Sequence, residues 1–123
     1  MSRLLNSIEA FYAMHLFIEH YFEITKSDSL GALLSCMHFL NDDQTADPAL
    51  WEDWIKITDR REMTEVQAFY AMDAFLRQYY QRSTSSNVTK MLYDLSLVIE
   101  DKEGKEEVWY EWLESIDYIL KNA

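Results

Sequence analysis

Hydrophobic positions along the chain recur in steps of three and four. Phe11, Met14, Phe17, Ile18 and Tyr21 form one series, and Phe69, Met72, Phe75, Leu76 and Tyr79 form another. That spacing puts each series on one face of a helix. Asn6-x-x-Glu9 precedes the first series and Thr64-x-x-Gln67 the second. Either pattern can cap a helix reciprocally, with a side-chain oxygen on the third amide and a returning acid or amide group. Shorter stripes at Leu30, Leu33, Leu34 and Met37 and at Val88, Met91, Leu92 and Leu95 predict helices that begin after Ser27 and Ser85. Gly31 inside the first of these weakens it by about 1 kcal/mol against alanine and marks an expected close helix contact. Asp47-Pro48 opens a further helix, Asp as cap and Pro as first helical residue, carrying Leu50, Trp51, Trp54 and Ile55. Its counterpart opens at Lys105-Glu106 and carries Val108, Trp109, Trp112, Leu113 and Ile116, then Ile119 and Leu120. The pattern predicts an all-α chain of six helices near 6–24, 27–40, 47–58, 64–82, 85–99 and 106–121, and no strand.

The series belong to a duplication. Residues 10–58 align with 68–116 at a constant offset of 58, without a gap and with 12 identities in 49 positions. AFYAM at 10–14 recurs at 68–72, and Trp51 and Trp54 recur as Trp109 and Trp112. Self-similarity of this kind signals a repeated structural unit. The segment between the units, about Asp59–Met63, is too short to separate independent domains. Residues 1–123 are therefore expected to form one domain of two three-helix units, 6–58 and 64–116, related by an approximate two-fold axis.

Composition narrows the class. Hydrophobic residues make up 49% of the chain, enough for a core, while only two glycines and one proline occur. No apolar run reaches the ~20 residues of a membrane span. The first residues, with one arginine and the early polar positions Asn6, Ser7 and Glu9, do not read as a secretory signal. A single cysteine, Cys36, excludes a disulfide within the chain, and a cytoplasmic, reducing home is the expectation. The net charge of −11 repels nucleic acid and anionic membranes and attracts basic partners.

Nothing in the sequence carries enzymatic chemistry, and no catalytic residue, metal site or cofactor is assigned. His15, His20 and His38 have Asp73, Gln78 and Ser96 at the equivalent positions of the second unit, and no Glu-x-x-His pair occurs. Cys36 aligns with Asp94 and reads as a partly buried inert thiol. The tryptophan pairs, spaced by three on amphipathic helices in both units, read as core. The acids are the informative polar feature. Asp42, Asp43, Asp47, Glu52 and Asp53 cluster in unit one, and Glu100, Asp101, Glu103, Glu106 and Glu107 in unit two, followed by Glu111, Glu114 and Asp117. Acids at a helix start favour its dipole by about 0.3–1 kcal/mol, which accounts for Asp47, Glu106 and Glu107 but not for the loop acids. A solvated face and a surface for a basic partner both fit, and the spacing matches no twelve-residue calcium loop. The ten acids of the two clusters are the candidate partner-binding residues. One-unit residues of the first helix, His15, Glu19 and His20, are the second choice.

The run ADPALWEDW at 46–54 and the stretch AFYAMDAFLRQYYQRSTSSNVTKMLYDL at 68–95 resemble the small immunity proteins of bacterial contact-dependent growth inhibition systems. KEEVWYEW at 105–112 lacks the Asp-Pro start and keeps the tryptophan spacing. The resemblance implies a cytoplasmic, all-helical antidote that binds a cognate toxin domain. Such toxins are often nucleases, which are basic because they bind nucleic acid. The other function class that fits the residues is an acidic scaffold or regulatory module without a toxin partner.

Overall fold

The computed structural model describes residues 3–41, 44–83 and 85–122. Among them the elements run β1 (Leu4–Leu5), α1 (Ser7–Thr25), α2 (Asp28–Met37), β2 (Phe39–Asn41), β3 (Gln44–Thr45), α3 (Pro48–Thr58), β4 (Met63–Thr64), α4 (Glu65–Tyr79), α5 (Ser86–Ile99) and α6 (Lys105–Lys121). The fold is mostly helical, and its six helices stand in the expected order.

The helix starts follow from local hydrogen bonding. Asn6 Oδ1 accepts from the Glu9 amide at 2.8 Å, and Glu9 Oε1 accepts from the Asn6 amide at 2.9 Å. Thr64 and Gln67 repeat this box at 3.1 and 2.9 Å. The hydroxyls of Ser27 and Ser85 each accept, at 3.4 Å, from the amide three residues on. Each cap satisfies an amide that has no partner within its own helix, and such a cap is worth about 1 kcal/mol.

Three features correct the sequence expectation. Two short antiparallel ladders exist where no strand was expected: β1 with β4, where Leu5 faces Met63, and β2 with β3. Second, α2 stops at Met37. His38 is extended, and the carbonyls of Cys36 and His38 accept from the amides of Asp47 and Ala46 at 3.1 and 2.8 Å. The returning hairpin thus supplies the donors that another helical turn would have supplied. Third, α4 stops at Tyr79, and the next residues turn, with the Ser83 amide donating to the Tyr80 carbonyl at 2.9 Å. Tyr79 itself, expected on the buried stripe, is 40% exposed. Its equivalent Tyr21 is half-buried because its hydroxyl donates to Asp94, at 2.6 Å, where unit one has Cys36.

The other stripe residues of α1 and α4 are buried, as are Leu30, Leu33, Met37, Val88, Met91 and Leu95. A Cβ on Gly31 would stand 2.9 Å from Phe22 Cε1, so the glycine does mark a close α1–α2 contact. Trp54 and Trp112 have no exposed surface. Trp54 Nε1 donates to the Ser7 carbonyl at 2.8 Å, and Trp112 Nε1 to the Glu65 carbonyl at 3.0 Å. These donors and acceptors correspond at the 58-residue offset. So do two contacts between the units: Phe17 meets Trp112 edge-on at 6.0 Å, and Phe75 meets Trp54 at 5.7 Å.

Truncating either central indole removes a large buried ring and a paired N–H. Trp54→Ala and Trp112→Ala are each expected to cost about 3–5 kcal/mol in denaturant unfolding. A loss below about 1 kcal/mol would show that the indole does not pack as described.

Candidate partner-binding surface

Of the acids singled out in unit one, Asp42 and Asp43 lie outside the described residues. Asp47 is half-buried and caps α3, its Oδ1 accepting from the Ala49 amide at 3.1 Å. Its carboxylate therefore has a local structural task. Glu52 is exposed and Asp53 half-buried on α3.

The acids of unit two gather where α5 turns into α6. The turn is a Schellman motif: Lys102 N–H donates to the Leu97 carbonyl at 2.8 Å and Asp101 N–H to the Val98 carbonyl at 3.3 Å. Asp101 takes the left-handed position, with φ 56°, which aspartate tolerates better than most residues. Gly104, at φ 95°, then leads into α6 without a side-chain cap. Glu100 pairs with Lys102 at 3.5 Å, and Asp101 pairs with Lys105. Among the described residues Glu103, Glu106 and Glu107 make no ion pair, and all three are exposed. The two acidic segments do not converge on one element: α3 packs mainly with α1, α2, α4 and β3, whereas α6 packs with α1, α4 and α5.

An apolar groove of about 280 Å³ lies beside the unit-two acids. Val66, Phe69 and Tyr70 of α4, Val98 of α5 and Trp109 of α6 form its walls, and Asp101, Lys105 and Glu106 form its rim. Val66 and Tyr70 are about half exposed. An apolar floor inside a polar rim is the anatomy of a protein–protein contact. Sequence reasoning missed this groove. Its one signal was that Tyr12 and Tyr70 are identical, and Ile8 and Val66 both apolar, at positions off the predicted buried stripe.

A second polar region forms where α1 meets α6. Leu16, Glu19, His20 and Glu23 face Glu111, Glu114, Ser115 and Tyr118 across a cleft of about 350 Å³. His20 Nε2 stands 3.2 Å from Glu111 Oε1. Four-residue steps on each helix were readable in the sequence, but their meeting depends on how α1 docks. An adjoining cleft of about 540 Å³ contains Tyr21, Lys90 and Asp94. Lys90 Nζ donates to Asp94 Oδ1 at 2.6 Å while Tyr21 donates to the other oxygen. Burial first, and then the bond to Asp94, push the Tyr21 phenol far above its ordinary range, so it serves as a fixed donor tying α1 to α5. Among the described residues no three His, Cys, Asp or Glu side chains are grouped to hold a metal ion.

Comparison with protein-family models, with curated proteins and with solved structures finds no match.

Burial holds the His15 imidazole below its ordinary value of 6.5; Glu19, 3.6 Å away, and the Leu34 backbone oppose the shift, and nearby His38 adds to it. The folded chain resists protonation here more than the unfolded chain does. The stability tied to neutral His15 is complete above 6.5 and is lost as pH falls through the lower folded value. Urea unfolding at about pH 7.5 and about pH 5 should show the wild type losing more stability than His15→Gln. Equal losses would show that the imidazole is solvated like a free one.

Proposed function

We propose that this chain is a protein-binding module that neutralises a basic toxin domain, in the manner of the immunity proteins its sequence resembles, and that it has no catalytic role of its own. The observation that carries the reading is an acid with no ion-pair partner among the described residues, Glu106, at the edge of an apolar groove, with the exposed Glu103 and Glu107 next to it in the chain. A large negative potential steers a basic partner into encounter, and a desolvated apolar floor then slows its departure. The net charge of −11 supports a basic protein as target and argues against nucleic acid or an anionic membrane. No helix among the described residues is long and apolar enough to cross a membrane. A cytoplasmic location, where an antidote meets an incoming toxin, belongs to the same proposal. So does an approximate two-fold relation between the units, which the contact pairs at the 58-residue offset support.

The acids of the unit-two turn are the first to change, since the unit-one segment spends Asp47 on a helix cap. Replacing Glu100, Asp101, Glu103, Glu106 and Glu107 by Gln and Asn keeps the turn, because asparagine also accepts the left-handed position. Association with a basic toxin domain from the neighbouring gene should slow by about tenfold or more at low salt, and its salt dependence should flatten. Circular dichroism should be unchanged. A parallel variant neutralising Asp42, Asp43, Asp47, Glu52 and Asp53 tests the other segment. If neither variant alters the rate or its salt slope, the acids serve solubility alone and the reading falls.

A further inference from the structure

The duplication reveals a place in unit two that unit one fills from within. In unit one Phe39, on β2, closes a triad of rings. Phe11, Phe39 and Trp51 meet edge to face, with centroids 5.3–5.4 Å apart, and Phe39 lies 5.1 Å from Tyr12. Under this cover Trp51 is 6% exposed. Unit two repeats the host residues as Phe69, Tyr70 and Trp109, with Phe69 and Trp109 5.7 Å apart. The guest ring is missing. The aligned residue is Leu97, but α5 continues to Ile99 where α2 has already ended. Leu97 therefore faces the opposite cleft, where its Cδ1 lies 3.4 Å from the place of a Cβ on Gly104. Trp109 is left only half-buried, and the apolar groove of about 280 Å³ stands over it and Phe69.

We propose that this groove receives one aromatic side chain of a partner protein, flanked by lysine or arginine. The ring takes the place that Phe39 takes in unit one. The flanking cation meets Glu106, which has no ion-pair partner among the described residues, while Asp101 is already matched by Lys105. The volume suits this occupant, because pockets for whole small molecules usually span about 300–1,000 Å³. An edge-to-face ring contact supplies affinity beyond its buried area, and the acidic rim selects the neighbouring charge. The inference rests on the preceding reading only in taking the partner to be a basic protein.

The probe is the capped peptide acetyl-Lys-Phe-Lys-amide, titrated into the full chain and followed by NMR. Saturable shifts are expected at the Trp109 indole and the Val66 and Val98 methyls, with the Trp51 indole still. Acetyl-Lys-Ala-Lys-amide should give no saturable shift there. Acetyl-Gln-Phe-Gln-amide, and the Tyr70→Ala variant with the original peptide, should bind about threefold to tenfold more weakly. Tyr70 is about half exposed, so its truncation should leave the fold intact. Equal shifts from the alanine peptide, or no saturation at Trp109, overturn the proposal. Concentration-dependent dimerisation that moves the same signals overturns it too, because a second copy would then be the occupant. A groove that takes the peptide while no toxin is neutralised keeps this proposal and removes the toxin reading. A neutralised toxin indifferent to Tyr70→Ala does the reverse.

Discussion

Two buried indoles hold the molecule together. Trp54 and Trp112 lose all contact with water, and each donates its N–H to a backbone carbonyl in the first turn of α1 or α4. A buried tryptophan needs that partner, because an unpaired N–H in the interior costs about 1–3 kcal/mol. The carbonyls are where they are because capping boxes start α1 and α4 at the same place in each unit. Each indole then meets a phenylalanine of the other unit, Phe75 or Phe17. Through these contacts the buried residues of 6–58 and 64–116 join in one hydrophobic cluster.

The units diverge around this frame. Unit one ends its second helix early and folds a hairpin over Phe11 and Trp51. The cover has a cost: Trp51 Nε1 is buried with no hydrogen-bond partner among the described residues. Unit two runs its second helix further, turns sharply through Asp101 and Gly104, and leaves Trp109 partly open. In the polar layer the exchange runs the other way. Asp94 in unit two accepts from Tyr21 and Lys90, while Cys36 in unit one offers Tyr79 no comparable acceptor, and Tyr79 stays at the surface. A repeat preserves what the shared core requires and releases the rest for asymmetric use.

That asymmetry bears on function. Both units carry acids at the corresponding junction, but in unit two Asp101 and Glu106 flank an uncovered apolar groove. Charge alone gives long-range attraction and little residence time, whereas apolar burial gives residence without steering. Their adjacency in unit two is the reason that a partner-binding reading is preferred over a merely solvated face.

The helices, their order and most of the core were readable in the residues, because helix periodicity and side-chain capping are local and act over three or four positions. Asn6 with Glu9, Thr64 with Gln67, and Trp51, Trp54 and Trp112 announced their tasks directly, whereas Trp109, expected in the core, is half-buried beside the groove. The acids were equally visible as residue types. What they face was not. The ladder between Leu5 and Met63, the stop at Met37, the exposure of Tyr79 and the meeting of Glu19 and Glu23 with Glu111 and Glu114 all join residues far apart in the chain. Such pairings are set by how helices dock, and the hydrophobic pattern of each helix specifies only that it docks. The groove over Trp109 is of the same kind. Phe39 and Leu97 look interchangeable as apolar residues, and only the four extra residues of helix at the end of α5, relative to α2, turn one ring inward and leave the other site open.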